Sequence, residues 1–207
     1  MEQAGGAIRI AAPSYQTYQT NIGTSDTAVT ANLGFSVSSL DRVIAIFQRS
    51  AIVATSNSVD NRAKNDLVDF NLNIGNMKYP QISPKVEAGL YGGAEVLAES
   101  LISQRSLTSF GHTNSIQSAG GTAFNIDDGA GSSAATLGSF VLELDLQSQF
   151  SNQPMALVSG VNTIGSNVSM TFNFSAAPST TQTISIYAEH TVLMSLDLAS
   201  LTWNLAI

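Results

Sequence analysis

The stretch that decides the fold is "SGVNTIGSNVSMTFNF", residues 159–174. Its first half contains the turn-forming residues Gly160 and Gly165, and its second half alternates apolar and polar residues from 168 to 174. Strict alternation predicts a strand with one buried face. The first half carries no general base, no charge and no cluster of ligands. We therefore interpret it as a corner that leads into a strand, not as a binding or catalytic loop.

The same period of two recurs along most of the chain. Val68, Phe70, Leu72 and Ile74 form one apolar face, and we expect these residues or their alternates to share a core with Val168, Met170, Phe172 and Phe174. The segment 182–198 is long enough that we expect it to bend or break into two strands. The eight predicted strands lie at 14–22, 27–37, 43–47, 67–75, 139–146, 155–161, 168–175 and 182–198, and a terminal apolar segment follows at 201–207.

One segment has a different period. Apolar residues recur at helical spacing over 91–104, which predicts the one helix. Residues 106–137 have few apolar residues and predict a long connection. About eight strands, one short helix and long connecting loops predict an all-β protein. We expect an antiparallel β-sandwich of jelly-roll type, with residues 1–207 forming a single domain.

The composition excludes several classes of function. Only 11% of the 207 residues are charged, against about 25% in an average soluble domain, and the net charge is −7. All eight basic residues lie at or before Arg105, which disfavours direct binding of nucleic acid. The absence of cysteine removes disulfides and thiolate chemistry. No apolar run approaches the roughly 18–20 residues of a membrane-spanning helix, and we expect no such segment.

Candidate catalytic or ligating residues are few. The two histidines, His112 and His190, are far apart in sequence, and no G-x-S-x-G turn or nucleotide-binding glycine motif occurs. Asp127 and Asp128 precede a glycine, but the alternating acidic positions of a calcium loop are missing, so a turn is the simpler interpretation. We predict no catalytic residues, no cofactor and no metal.

Several segments, taken in order, resemble one family. They are "SSLDRVIAIFQRS" (38–50), "FNLNIGNMKYPQISP" (70–84), "GGAEVLAESL" (92–101), "SGVNTIGSNVSMTFNFSAA" (159–177) and "ISIYAEHTVLMSLDLAS" (184–200). This order is similar to that of the C-terminal jelly roll in the double jelly-roll major capsid proteins of polinton-like viruses and adintoviruses. Glu189 and His190 stand where the family usually has a Tyr-Asp-type pair.

The resemblance implies a structural role in a virion capsid. It implies trimeric, pseudo-hexameric capsomers of an icosahedral shell, in contact with other capsid proteins such as penton or minor proteins. It also implies that the chain is either the C-terminal half of a longer double jelly-roll protein or a protein with one such domain. The alternative from another class is a jelly-roll module that binds carbohydrate or a receptor, as in a fibre head or lectin. An enzyme on a sandwich scaffold is a third.

The loop 106–137 has too few large apolar residues to order itself, because fixing each backbone residue costs about 1–2 kcal/mol. If the loop is ordered, a neighbouring subunit should supply the missing burial. We therefore predict that Phe110 and Phe124 lie at or near a subunit contact.

Overall fold

The computed structural model describes residues 2–4, 7–50, 62, 64–86, 96, 100, 103, 140–147, 160–198 and 200–206. Within these residues the chain forms ten strands, and the alternating segments predicted above provide most of them. The strands are β1 (Glu2–Ala4), β2 (Ala7–Ile22), β3 (Ala28–Leu33), β4 (Leu40–Arg49), β5 (Leu67–Ile74), β6 (Met77–Tyr79), β7 (Leu142–Asp145), β8 (Val168–Phe174), β9 (Gln182–Asp197) and β10 (Thr202–Ala206).

The strands form two antiparallel sheets. The larger sheet has the order β1-β2-β9-β4-β7, with β10 also paired to β9, and the smaller sheet has the order β3-β8-β5-β6. Strands that follow one another in sequence mostly lie in opposite sheets, so the chain crosses between the layers again and again. The orders β2-β9-β4-β7 and β3-β8-β5-β6 define a jelly roll, and the predicted fold class is confirmed.

The core lies between the two sheets and contains the alternating apolar residues of both. Phe70, Leu72 and Ile74 of β5 are buried in the same cluster as Val168, Met170, Phe172 and Phe174 of β8. The ring of Phe47, from β4 in the opposite sheet, lies edge-on to Phe172 with the centroids 5.3 Å apart. The predicted common core is therefore confirmed for these residues.

Position 68 departs from the prediction. Leu67 is buried and Val68 is only partly buried, because the pairing of β5 with β8 shifts register between Leu67 and Asp69. A bulge of this kind reverses the faces of the residues before it. The apolar alternation alone could not locate the bulge, since both residues are apolar.

The segment 182–198 does not break. β9 runs without interruption from Gln182 to Asp197, because β2 pairs with it along its whole length. What changes is the partner on its other side, which is β4 up to His190 and β10 from Leu193. β2 also begins at Ala7, earlier than predicted, and the short strands β1 and β6 were not predicted.

The predicted helix at 91–104 is described at three residues. Val96, Ser100 and Ser103 are helical and buried, and their spacing places them on one face. The Ser100 hydroxyl donates a hydrogen bond to the carbonyl oxygen of Val141, just before β7. The rest of this helix, the predicted loop 106–137 and most of the predicted strand 155–161 lie outside the described residues.

Candidate functional site

The corner at 160–167 is hydrogen-bonded to the segment that enters β4. The Thr163 hydroxyl accepts a hydrogen bond from the Val37 amide at 2.9 Å and donates one to the Val37 carbonyl at 3.1 Å. Leu40 and Val161 exchange backbone hydrogen bonds at 2.8 and 2.9 Å. Two of the segments that carry the family resemblance, 38–50 and 159–177, thus contact each other directly.

A buried carboxylate lies beneath this corner. Asp41 accepts hydrogen bonds from the Ser39 hydroxyl at 2.9 Å and the Thr191 hydroxyl at 2.5 Å, and Ser39 in turn accepts one from the Gly160 amide at 3.0 Å. Asp41 lies where the pairing of β4 with β9 shifts register. Burying a carboxylate is costly unless such donors compensate it. The arrangement fixes the bulge and the corner and holds the carboxylate in a closed network.

A charged cluster lies on the outer face of the larger sheet. The Arg42 guanidinium donates to Glu189 through Nε at 2.8 Å and also through Nη2. Its Nη1 lies 3.6 Å from Glu143 and donates to the Ser103 carbonyl at 3.4 Å. Burial alone lowers the pKa of Arg42, but the hydrogen bonds and charge of Glu189, with the charge of Glu143, raise it above its ordinary value.

This cluster gives Glu189 a structural role. Arg42 and Glu189 are direct neighbours across β4 and β9, and the contact with Ser103 joins the sheet to a helical residue. In the family resemblance, Glu189 stood only as a departure from the usual Tyr-Asp-type pair. The pair could have been predicted from the sequence, because Arg42 and Glu189 are charged residues of opposite sign within otherwise apolar strands.

The structure describes one of the two histidines of the chain. His190 is buried on the core side of β9, with no hydrogen-bond partner for Nδ1, and His112 lies outside the described residues. Phe110 and Phe124, the predicted contact residues, also lie outside, as do Asp127 and Asp128.

Within the described ranges, no three His, Asp or Glu side chains are grouped so as to hold a metal ion. No helix among the described residues is long and apolar enough to span a membrane.

A small cavity of about 280 Å³ lies beside the β5 bulge. Lys85 lines this cavity, and its ammonium group is 3.0 Å from the Asp69 carboxylate. Asp69 also accepts a hydrogen bond from the Asn173 amide at 2.6 Å. The hydrogen bond from Asn173 lowers the pKa of Asp69 below its ordinary value. The hydrogen bond from Lys85 and the positive charge of Lys85 lower it further. Of the two lysines that line the cavity, Lys64 is buried and Lys85 is held by Asp69.

The larger sheet extends beyond the sandwich. After Val192 no described side chain of β9 is buried, and the side chains of β2 from Ile8 to Pro13 are half-buried or exposed. Here β1, β2, β9 and β10 form an antiparallel ribbon. We call residues 2–13 and 192–206 the ribbon.

One face of the ribbon is apolar. Ile8 pairs with Leu196, which pairs with Trp203, so these three side chains form a row across the ribbon. Ile10 and Met194 are paired in the next row. This is the face that continues the core, because β2 and β9 pair without a register shift from Ala7 to Ile22. Trp203 is 58% exposed.

The opposite face of the ribbon is more polar. Arg9 pairs with Ser195, which pairs with Asn204. Leu193 and Ala11 are apolar members of this face, and Asp197 and Thr202 form its last described row. The ribbon is therefore amphipathic. Its apolar face lies on the core side of the larger sheet, which is the side that the smaller sheet covers elsewhere.

Three solved structures of viral capsid chains share this architecture. VP54 of PBCV-1, fitted into a reconstruction of the virophage Sputnik, superposes with a TM-score of 0.56 at 9% identity, over 97% of this chain and 52% of that chain. A chain of the PBCV-1 virus capsid gives 0.54 at 10% identity, over 97% and 52%. The mavirus major capsid protein gives 0.50 at 10% identity, over 99% and 42%.

These likenesses define the class of fold. The chain has the jelly roll of viral major capsid proteins, and the resemblance inferred from the sequence is confirmed at the level of the fold. It spans about half the length of the VP54 chain it matches. No protein-family model matches the sequence, and no curated protein matches it either.

Proposed function

We propose that this chain is a structural protein of a virion capsid, in which its β-sandwich is a building block of the shell. The observation that carries the proposal is the superposition of 97% of the chain on VP54 of PBCV-1 through a shared jelly-roll topology. Capsid subunits act by packing against one another, and a weakly charged surface favours such packing because few charges must be desolvated.

The polar clusters support a structural role over a catalytic one. Asp41 is occupied by two hydroxyl donors, and Arg42 is paired with Glu189 and Glu143. A general base needs hydrogen-bond reach to a substrate. Buried groups whose hydrogen bonds are satisfied inside the protein stabilise its fold instead. In this proposal residues 1–207 form one jelly-roll domain that needs neither a cofactor nor a metal.

The oligomer we propose is a trimer that assembles into pseudo-hexameric capsomers with other capsid proteins. Native mass spectrometry and sedimentation of the purified chain test this. We expect a concentration-dependent assembly whose smallest stable unit contains three copies, and electron microscopy should show symmetric particles. A chain that remains monomeric at the highest soluble concentration contradicts the proposal.

Phe110 and Phe124 remain our proposed subunit contact within 106–137. The support is the composition of that segment, which offers few apolar residues to the chain's own core. Hydrogen exchange across 106–137, compared between dissociated and assembled protein, tests the contact. We expect slower exchange on assembly, and equally rapid exchange in both states would contradict it.

A carbohydrate- or receptor-binding module is the second candidate, and the exposure of Trp203 favours it. Sugar sites commonly use an exposed aromatic ring, and Trp203 is 58% exposed. Its paired neighbour Leu196 and the next strand's Ile8 are aliphatic, however, and offer no hydrogen bonds to hydroxyl groups. Glycan-array binding by a chain that does not assemble would favour this candidate.

A further inference from the structure

We propose that the apolar face of the ribbon is an assembly contact covered by a second copy of this chain. The inference rests on the proposed function and adds to it the surface through which neighbouring subunits meet. The face consists of Ile8, Ile10, Met194, Leu196 and Trp203.

The first argument is continuity with the core. The residues of β9 on this face continue the row Ile184, Ile186 and Ala188, all of which are buried against the smaller sheet. Past Val192 the side chains keep the same apolar character, but Met194 and Leu196 are only half-buried. A solvent-facing strand pair normally has polar side chains on its open side, so a continued apolar face indicates a surface that is covered when the protein works.

The second argument is charge. Every copy of the chain carries a net charge of −7, so two copies repel each other unless they meet where charges are absent. The five described residues of the face are all uncharged, whereas Arg9 and Asp197 lie on the opposite face. The apolar face is thus a surface on which two identical acidic chains can approach without desolvating a charge.

The third argument is size. Three strands about 4.8 Å apart and five residues long give a face of roughly 14 by 17 Å, or about 250 Å². A stable dimer buries about 800 Å² on each partner. The ribbon alone is too small to hold two free chains together. It suits a contact that repeats in an assembly, where several weak interfaces on each copy act together.

The hairpin that joins β9 to β10 adds apolar surface at the tip. Leu198 and Leu201 are both exposed, and Leu201 has a positive φ of 55°. Glycine or asparagine is the usual residue in this conformation. An exposed leucine in a left-handed conformation weakens the isolated chain, and a contact in the assembly would compensate for it.

The single tryptophan of the chain makes the test direct, because Trp203 lies on this face. The probe is acrylamide quenching of the intrinsic fluorescence, measured on the full chain in dissociated and assembled fractions separated by sedimentation. Since the contact should bury Trp203, which is 58% exposed, we expect quenching to fall severalfold. A blue shift of the emission should accompany it.

Two variants of one strand test the face itself. Trp203→Lys should raise the concentration needed for assembly about tenfold or more, because the interface must desolvate a charge. Asn204→Lys adds the same charge to the opposite face and should change that concentration by less than about twofold. The dissociated variants should keep the circular dichroism of the parent, since both positions are exposed.

Each outcome decides one of the two proposals. Assembly with unchanged quenching of Trp203, or equal effects of the two lysine variants, overturns the ribbon contact and leaves the capsid role intact. Assembly in which Trp203 is shielded by a different protein or by another part of a longer chain also overturns it. A chain that never assembles contradicts the capsid role and the contact together.

Discussion

The backbone of Gly160 lies against the carbonyl oxygen of Leu40, with no room for a side chain between them. A Cβ atom at position 160 would lie 2.5 Å from Asp41 Oδ1 and closer still to the Leu40 oxygen. The two reciprocal hydrogen bonds between Leu40 and Val161 require this approach. Gly160 is therefore required at this position because it has no side chain.

Gly160→Ala should destabilise the protein strongly, by about 3 kcal/mol or more, because the Leu40 backbone must move to relieve the overlap. The matched control is Gly34→Ala, since a Cβ at that position meets no atom within 4 Å. We expect the control to be neutral or to stabilise by about 0.4–1 kcal/mol. Urea denaturation of both variants measures the difference, and similar midpoints for the two would contradict the close approach.

Phe172→Ala should cost roughly 3–5 kcal/mol, because the ring is fully buried and the cavity cannot close against the surrounding sheets. Its edge-on contact with Phe47 would be lost as well. Ile82→Ala is the control, since Ile82 is 86% exposed and should change the free energy of unfolding by less than about 0.5 kcal/mol. Equal losses at both positions would show that Phe172 is not in the core.

Asp69 should make the stability depend on pH in the acidic range. Its folded-state pKa is lowered, first by the Asn173 hydrogen bond, so its stabilising contribution is complete above the ordinary carboxyl value of about 4. The contribution is lost as the pH falls from there through the lowered pKa. We expect Asp69→Asn to reduce this loss in thermal unfolding measured between neutral and acidic pH.

Lys85→Gln should produce a smaller change than Asp69→Asn, because Lys85 is well exposed and its effect on the Asp69 pKa ranks behind that of Asn173. A stability profile of Asp69→Asn that follows the parent at every pH would show that this carboxylate is not perturbed.

Leu201→Gly should stabilise the dissociated chain by about 0.5–1 kcal/mol, because it removes a bulky residue from a left-handed conformation. Leu198→Gly is the matched control in the same hairpin and has no positive φ, so it should destabilise by a similar amount. Denaturant midpoints of the two dissociated variants check this opposition of sign. A shift in the same direction would contradict the assigned conformation.

The apolar and polar alternation determined most of the strands by itself. A buried face needs apolar residues at every second position, and 67–75 and 168–175 show this in the sequence without any knowledge of their partners. The corner at 160–167 was equally predictable from the sequence, because glycine and asparagine favour turns through their own backbone preferences. Both effects depend on neighbouring residues in the chain, so the local sequence is sufficient to predict them.

The tertiary structure decided which strands pair and where the pattern is interrupted. The bulge that buries Leu67 instead of Val68 depends on the pairing of β5 with β8. The uninterrupted length of β9 depends on its pairing with β2. Arg42 and Glu189 are 147 positions apart, and Ile8 and Trp203 come together only through β9. Such contacts arise from the order of strands in a sheet, and a strand's own sequence records which face is apolar but not which partner will cover it.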